Sequence, residues 1–129
     1  MDQKCKLMFL AAAVAFAAAG SEWKILEPAA SSPAYAVAAR EFQKYYEAVT
    51  GTSLSVIAEP AASDHLVVIG SDSVNRFART AAENKIIPPL DVGADTDGYR
   101  IRSAEKDGRH YLFLAGGNGR STLYAVYDF

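Results

Sequence analysis

The chain has a single cysteine, Cys5, among 129 residues. It lies ahead of an apolar run, where a lipid-bearing cysteine would have to follow that run. Once residues 1–20 are set aside, no thiol remains. That excludes a disulfide framework, a cysteine metal site and a thiol nucleophile. Histidine is almost as scarce, with only His65 and His110. Positive charge is not in excess: the formal net charge is −2. Lys4 and Lys6 sit in the first twenty residues against Asp2, so the remainder is more acidic than the whole. There is no basic field for nucleic acid and no polybasic patch for a membrane surface. No apolar run approaches the roughly 20 residues of a membrane-spanning helix.

The one apolar run, residues 7–19, follows Lys4 and Lys6 and ends in Ala17-Ala18-Ala19-Gly20. A charged start, a short apolar centre and small residues at the end read as a secretory signal peptide over residues 1–20. This predicts an exported mature protein, periplasmic or extracellular, whose folded part spans 21–129. A disulfide-free exported domain of that length must depend on its apolar core.

The pattern of the remainder predicts β-α-β-β-α-β-β-α. Trp23 to Leu26 reads as a strand closed by Pro28. Ser31-Ser32-Pro33 is a helix start, with Ser as N-cap and Pro at the first position. Tyr35, Ala38, Ala39, Phe42, Tyr45 or Tyr46, and Val49 then recur at three and four, and Gly51 reads as the C-cap. Residues 54–57 alternate as a short strand. Residues 65–70 form a continuous β-branched run, suited to a central strand buried on both faces. Ser71 and Ser73 offer caps for a second helix over 74–84, with Val74, Phe77, Ala78 and Ala81 as its face. Pro88-Pro89 breaks the chain, and a polar loop runs to Asp97. Residues 99–103 alternate, Asp107-Gly108 signals a hairpin, and residues 109–115 return. A glycine-rich turn leads into a last helix whose Leu123, Tyr124, Val126, Tyr127 and Phe129 are apolar with no capping residues after them. The expected fold class is α/β, a mixed sheet with helices packed on it and the last helix truncated.

Few residues suggest chemistry. The turn Gly116-Gly117-Asn118-Gly119-Arg120-Ser121-Thr122 joins a strand to a helix N-terminus, a place where free backbone N–H groups can hold an anion. It completes neither phosphate-loop nor dinucleotide spacing. The bland reading is that the glycines supply positive φ, Ser121 or Thr122 caps the helix, and Arg120 makes a surface ion pair. Asp91, Asp95 and Asp97 share a loop without calcium-loop spacing. Asp64 and His65 adjoin on a strand and so point to opposite faces. Both histidines are expected at the surface. No nucleophile set or carboxylate pair stands out among the acids, so no catalytic and no metal-binding residue is assigned. Trp23, Tyr35, Tyr45, Tyr46, Tyr99, Tyr111, Tyr124 and Tyr127 could stack on sugars, but most fall on faces expected to be buried.

Four segments taken in order resemble one family. They are Ala39-Arg-Glu-Phe-Gln-Lys-Tyr45 with Thr50-Gly51, then Val67-Val-Ile-Gly70, Asp97-Gly-Tyr-Arg-Ile101, and Gly119-Arg-Ser-Thr-Leu-Tyr-Ala-Val-Tyr-Asp-Phe129. Together they resemble the N-terminal domain of family-67 α-glucuronidases and the related domain preceding the barrel of β-hexosaminidases. The resemblance implies a noncatalytic accessory domain of an exported glycoside hydrolase in polysaccharide breakdown. It implies no cofactor and carries over no catalytic residue. It also implies a partner, a downstream (β/α)8 barrel absent here and met through the last helix, and an oligosaccharide as a further ligand. The rival expectations are a free-standing carbohydrate-binding module using exposed tyrosines, and a small anion-binding protein using the Gly116 to Thr122 turn.

Overall fold

The computed structural model describes residues 23–29, 32–61, 64–90, 92–93 and 97–129. The signal-peptide reading, Cys5, Ser31, Asp91 and Asp95 lie outside the described residues.

Strand β1 (Trp23–Leu26) is followed by α1 (Pro33–Thr50), β2 (Ser55–Ile57), β3 (His65–Ile69), α2 (Arg76–Glu83), β4 (Tyr99–Lys106), β5 (Arg109–Gly116) and α3 (Gly119–Asp128). This is the predicted order. One five-stranded sheet runs β2-β1-β3-β5-β4. Its first four strands are parallel, and β4 pairs antiparallel with β5. All five residues of β3 are buried, as a central strand covered on both faces requires.

Alternation splits the core into two layers. Trp23, Ile25, Val67, Ile69, Leu112 and Leu114 face one side, with α1 and α3. Leu26, Leu66, Val68, Tyr111 and Phe113 face the other, with Ala78 and Ala81 of α2. On α1 the buried stripe is Tyr35, Ala38, Ala39, Phe42 and Tyr46, a spacing of three and four. Tyr46 rather than Tyr45 takes the inward place. Gly51 ends the helix at φ 77, its N–H bonded to Glu47 O. Pro33 starts it after an extended Ser32, whose side chain makes no capping bond.

The second helix departs from expectation. It starts at Arg76, and its cap is Asn75, not a serine. Asn75 Oδ1 accepts from Phe77 N and Ala78 N, while its Nδ2 donates to Ile69 O at 2.9 Å. An amide can cap the helix and tie it to the end of β3 at once; a serine hydroxyl is too short for both. Ser71 and Ser73 instead lie 2.7 Å apart, oxygen to oxygen. The hairpin follows its signal: Asp107 (φ 54) and Gly108 (φ 78) both adopt positive φ, as a type I′ turn demands.

Candidate functional site

Helices α1 and α3 lie side by side and run in the same direction. Near their starts, a Cβ on Gly119 would stand 2.6 Å from Ala34 Cβ, so only glycine permits this approach. Farther along, where the middle of α1 meets the end of α3, Phe42 stacks on Phe129 at 5.8 Å and Tyr45 meets Tyr127 edge-on at 6.4 Å.

A shallow groove of about 100 Å³ opens there, lined by Phe42, Tyr45, Tyr46, Val49, Val126 and Phe129. Ligand pockets for small molecules run to roughly 300–1,000 Å³, so this one suits a side chain from another surface better than a sugar. Around it Tyr45 is 50% exposed, Val49 69%, Tyr124 42% and Tyr127 54%. Contiguous apolar surface of this kind marks an interaction face.

Sequence alone placed the whole apolar set of α3 on one unpartnered face. The structure divides it. Val126 is buried, Leu123 and Phe129 are half-buried against the first core layer, and only Tyr124 and Tyr127 reach solvent. At roughly 100° per residue the five positions cover more than half the helix circumference, too wide for a single contact. The share of α1 in the exposed patch was not legible, because Tyr45 and Tyr46 fit the same stripe. Of the eight candidate aromatics, Trp23, Tyr35, Tyr46 and Tyr111 are buried and Tyr99 is half-buried.

The glycine-rich turn is built for packing. Gly116, Gly117 and Gly119 all avoid positive φ, against expectation. Its N–H groups are largely committed. Gly116 N donates to Thr122 Oγ1 (3.1 Å), Gly117 N to Gly98 O (3.2 Å), Asn118 N to Ser121 Oγ (3.0 Å) and Ser121 N to Asn118 Oδ1 (2.9 Å). The cap is Asn118, in a reciprocal box with Ser121. Arg120 pairs with Asp97 at 2.7 Å on the surface. Donors already satisfied by the protein give an anion little to bind.

The histidines correct a second expectation. They are brought together, and His65 is only 2% exposed. The parallel register of β3 and β5 sets them side by side, in a row with Trp23 on β1. Ring centroids are 5.5 Å apart for Trp23 and His65 and 5.4 Å for His65 and His110. His65 Nδ1 accepts from His110 N at 2.9 Å, which leaves the neutral ring's proton on Nε2. Asp64 turns away and accepts from Ala61 N, so it forms no acid/base pair with His65.

Burial pushes the His65 pKa down, helped by His110 and Arg109 and opposed by Asp64. The unfolded chain therefore binds a proton near pH 6.5 that the folded chain resists. The stability tied to neutral His65 is fully present above that pH and is lost as pH falls through the lower folded value. Urea midpoints should drop between pH 7.5 and about 5.5, and His65→Gln should flatten that limb. An unchanged slope in the variant would assign the acid sensitivity to other groups.

Among the described residues, no three of His, Cys, Asp and Glu gather as a metal-binding cluster, and no helix is long and apolar enough to cross a membrane. No curated protein matches the chain. A family model described as the glycosyl hydrolase family 67 N-terminus matches residues 10–129, nearly the whole sequence and all of the fold just described, and the chain belongs to that family.

Proposed function

We propose that this chain is a noncatalytic accessory domain of an exported, α-glucuronidase-like glycoside hydrolase in polysaccharide breakdown, and that its α1–α3 face seats against a catalytic (β/α)8 barrel. The family supplies the coarse reading: an N-terminal domain of family 67 implies a catalytic domain in the parent protein. The observation that carries the rest is the exposed apolar patch of Tyr45, Val49, Tyr124 and Tyr127 beside the α1–α3 groove. Export rests on the charged start and short apolar run of residues 1–20.

The test compares the parent enzyme with its Tyr45→Asp/Tyr127→Asp variant. Both side chains are about half exposed but meet edge-on in the isolated domain, so the variant should lower the domain's own melting temperature somewhat, and the isolated variant domain sets the reference for the parent. In the parent, a charge at each position would sit unpaired in the contact, a cost of a few kcal/mol. The single unfolding transition should then divide into two, and protease should release the domain. A variant parent that still unfolds in one transition at the original temperature would overturn the docking face. The isolated chain should not turn over aryl glycosides or glucuronoxylan fragments, and turnover would overturn the noncatalytic reading.

A further inference from the structure

The strand connections diverge between β1 and β3, which are neighbours in the sheet. The chain leaving β1 crosses one face as α1 to reach β2. The chain leaving β3 enters α2, which packs on the opposite face. In open α/β sheets, ligands settle in the crevice at the carboxyl ends of the strands where such connections part.

Here that crevice is a cleft of about 400 Å³, within the range of small-molecule sites. Its wall is formed by Glu27 and Pro28 after β1, Glu59 after β2, and Arg76 and Phe77 from α2. Glu27 N donates to Ile57 O at 3.0 Å, so the two strand ends that carry the carboxylates are locked side by side.

The chemistry of the wall narrows the ligand. Among the described residues, the side chains of Glu27, Glu59 and Arg76 make no hydrogen bond or ion pair. Arg79, by contrast, is committed to Asp72 O (2.9 Å) and Ser73 O (3.4 Å), which fixes the loop ahead of α2. The wall carries two carboxylates, Glu27 and Glu59, and two guanidinium groups, Arg76 and Arg79, so its charges balance and favour neither an anion nor a cation. Carboxylate acceptors and a guanidinium donor lining one cleft match a ligand that both donates and accepts without net charge, which is the behaviour of hydroxyl groups.

Phe77 adds an apolar surface. Its ring lies 5.2 Å from Tyr111 and 6.4 Å from Phe113, so it is braced from behind. A rigid ring beside convergent polar groups fits the C–H face of a sugar. We infer that this cleft binds a neutral sugar residue, on the face of the sheet opposite α1 and α3. The inference is independent of the docking face.

The experiment is an NMR titration of the 15N-labelled chain with xylobiose and cellobiose as neutral probes and inorganic phosphate as the charged one. Saturable shifts are expected at the amides of Glu27, Glu59 and residues 76–77, with a dissociation constant on the order of 1 mM. Glu27→Gln and Arg76→Ala should each weaken binding about tenfold. These side chains carry no internal contacts that the fold needs, so the variants should melt with the parent chain. Phe77→Ala is less informative alone, because its ring also supports Tyr111. Absence of saturable shifts with both sugars overturns the site, as do shifts confined to Tyr45 and Tyr127. A stronger response to phosphate overturns the neutral-ligand assignment.

Discussion

Gly116→Ala is expected to lower the stability of the chain by at least about 3 kcal/mol, the upper end of what overpacking costs. A Cβ at this position would lie 2.1 Å from Thr122 N, 2.4 Å from Ser121 C and 2.5 Å from Ser121 Oγ. Two of those atoms are backbone in the first turn of α3, and no rotamer change can move them. The same contact is held by the bond from Gly116 N to Thr122 Oγ1, and Thr122 Oγ1 donates in turn to Asn118 O at 2.9 Å. The added methyl would force α3 off the end of β5 and break the bond from Gly116 N to Thr122 Oγ1. Domains of this kind are stable by roughly 5–15 kcal/mol, so the loss would be a large share of the total.

Gly51→Ala is the control. Gly51 has φ 77 but nothing within 4 Å of its Cβ position. It should cost only the left-handed backbone penalty, about 1–2 kcal/mol. Urea unfolding of the two variants checks the comparison. Equal midpoints would mean that close approach is not what holds Gly116 as glycine.

That contrast bears on what the sequence could reveal. Gly51 announces itself: it follows a periodic helix, and the C-cap needs positive φ, so type and place were legible. Gly116 also looked like a glycine chosen for positive φ. Its true reason is a contact between the end of one strand and the helix that follows, and composition does not distinguish the two.

Local pattern carried the element order and the central place of β3, because alternation and helical spacing are short-range. Whatever depends on pairing between distant segments was not legible. His65 and His110 are far apart in sequence, and each alone resembles a surface residue at a strand start. Only the register of β3 on β5 stacks them and buries His65. The cleft was hidden for the same reason. Glu27, Glu59 and Arg76 come from three separate segments and converge only through the strand order. On the docking face, the last helix was legible as apolar. Its partner in that surface, the outward edge of α1 at Tyr45 and Val49, required knowing which neighbouring tyrosine points inward.

The segment after α2 gives the other large effect. Leu90→Ala should cost about 3 kcal/mol, within the range for a buried leucine. By composition, the stretch beyond Pro88-Pro89 reads as a polar loop. In the structure Ile87 is 3% exposed and Leu90 is fully buried, and both join Leu66, Val68 and Phe113 in the second core layer. The cause lies in α2. It is only eight residues long and offers that layer the small side chains Ala78 and Ala81 and the half-buried ring of Phe77, too little to cover three strands. Close packing of the interior then requires bulk from elsewhere, and the loop supplies it. Pro88 and Pro89, both exposed, restrict the backbone between the two inward side chains.

Removing the isopropyl end of the Leu90 side chain would leave a cavity beneath a segment that has no helix of its own to settle into the gap. Leu90→Met, which nearly conserves volume, should cost less than about 1.5 kcal/mol. Pro89→Ala should cost less than about 1 kcal/mol, through the freedom it gives the unfolded chain. The expected ranking in urea midpoint is therefore Leu90→Ala lowest by a clear margin. A Leu90→Ala variant no less stable than Pro89→Ala would show that α2 alone closes this face of the sheet.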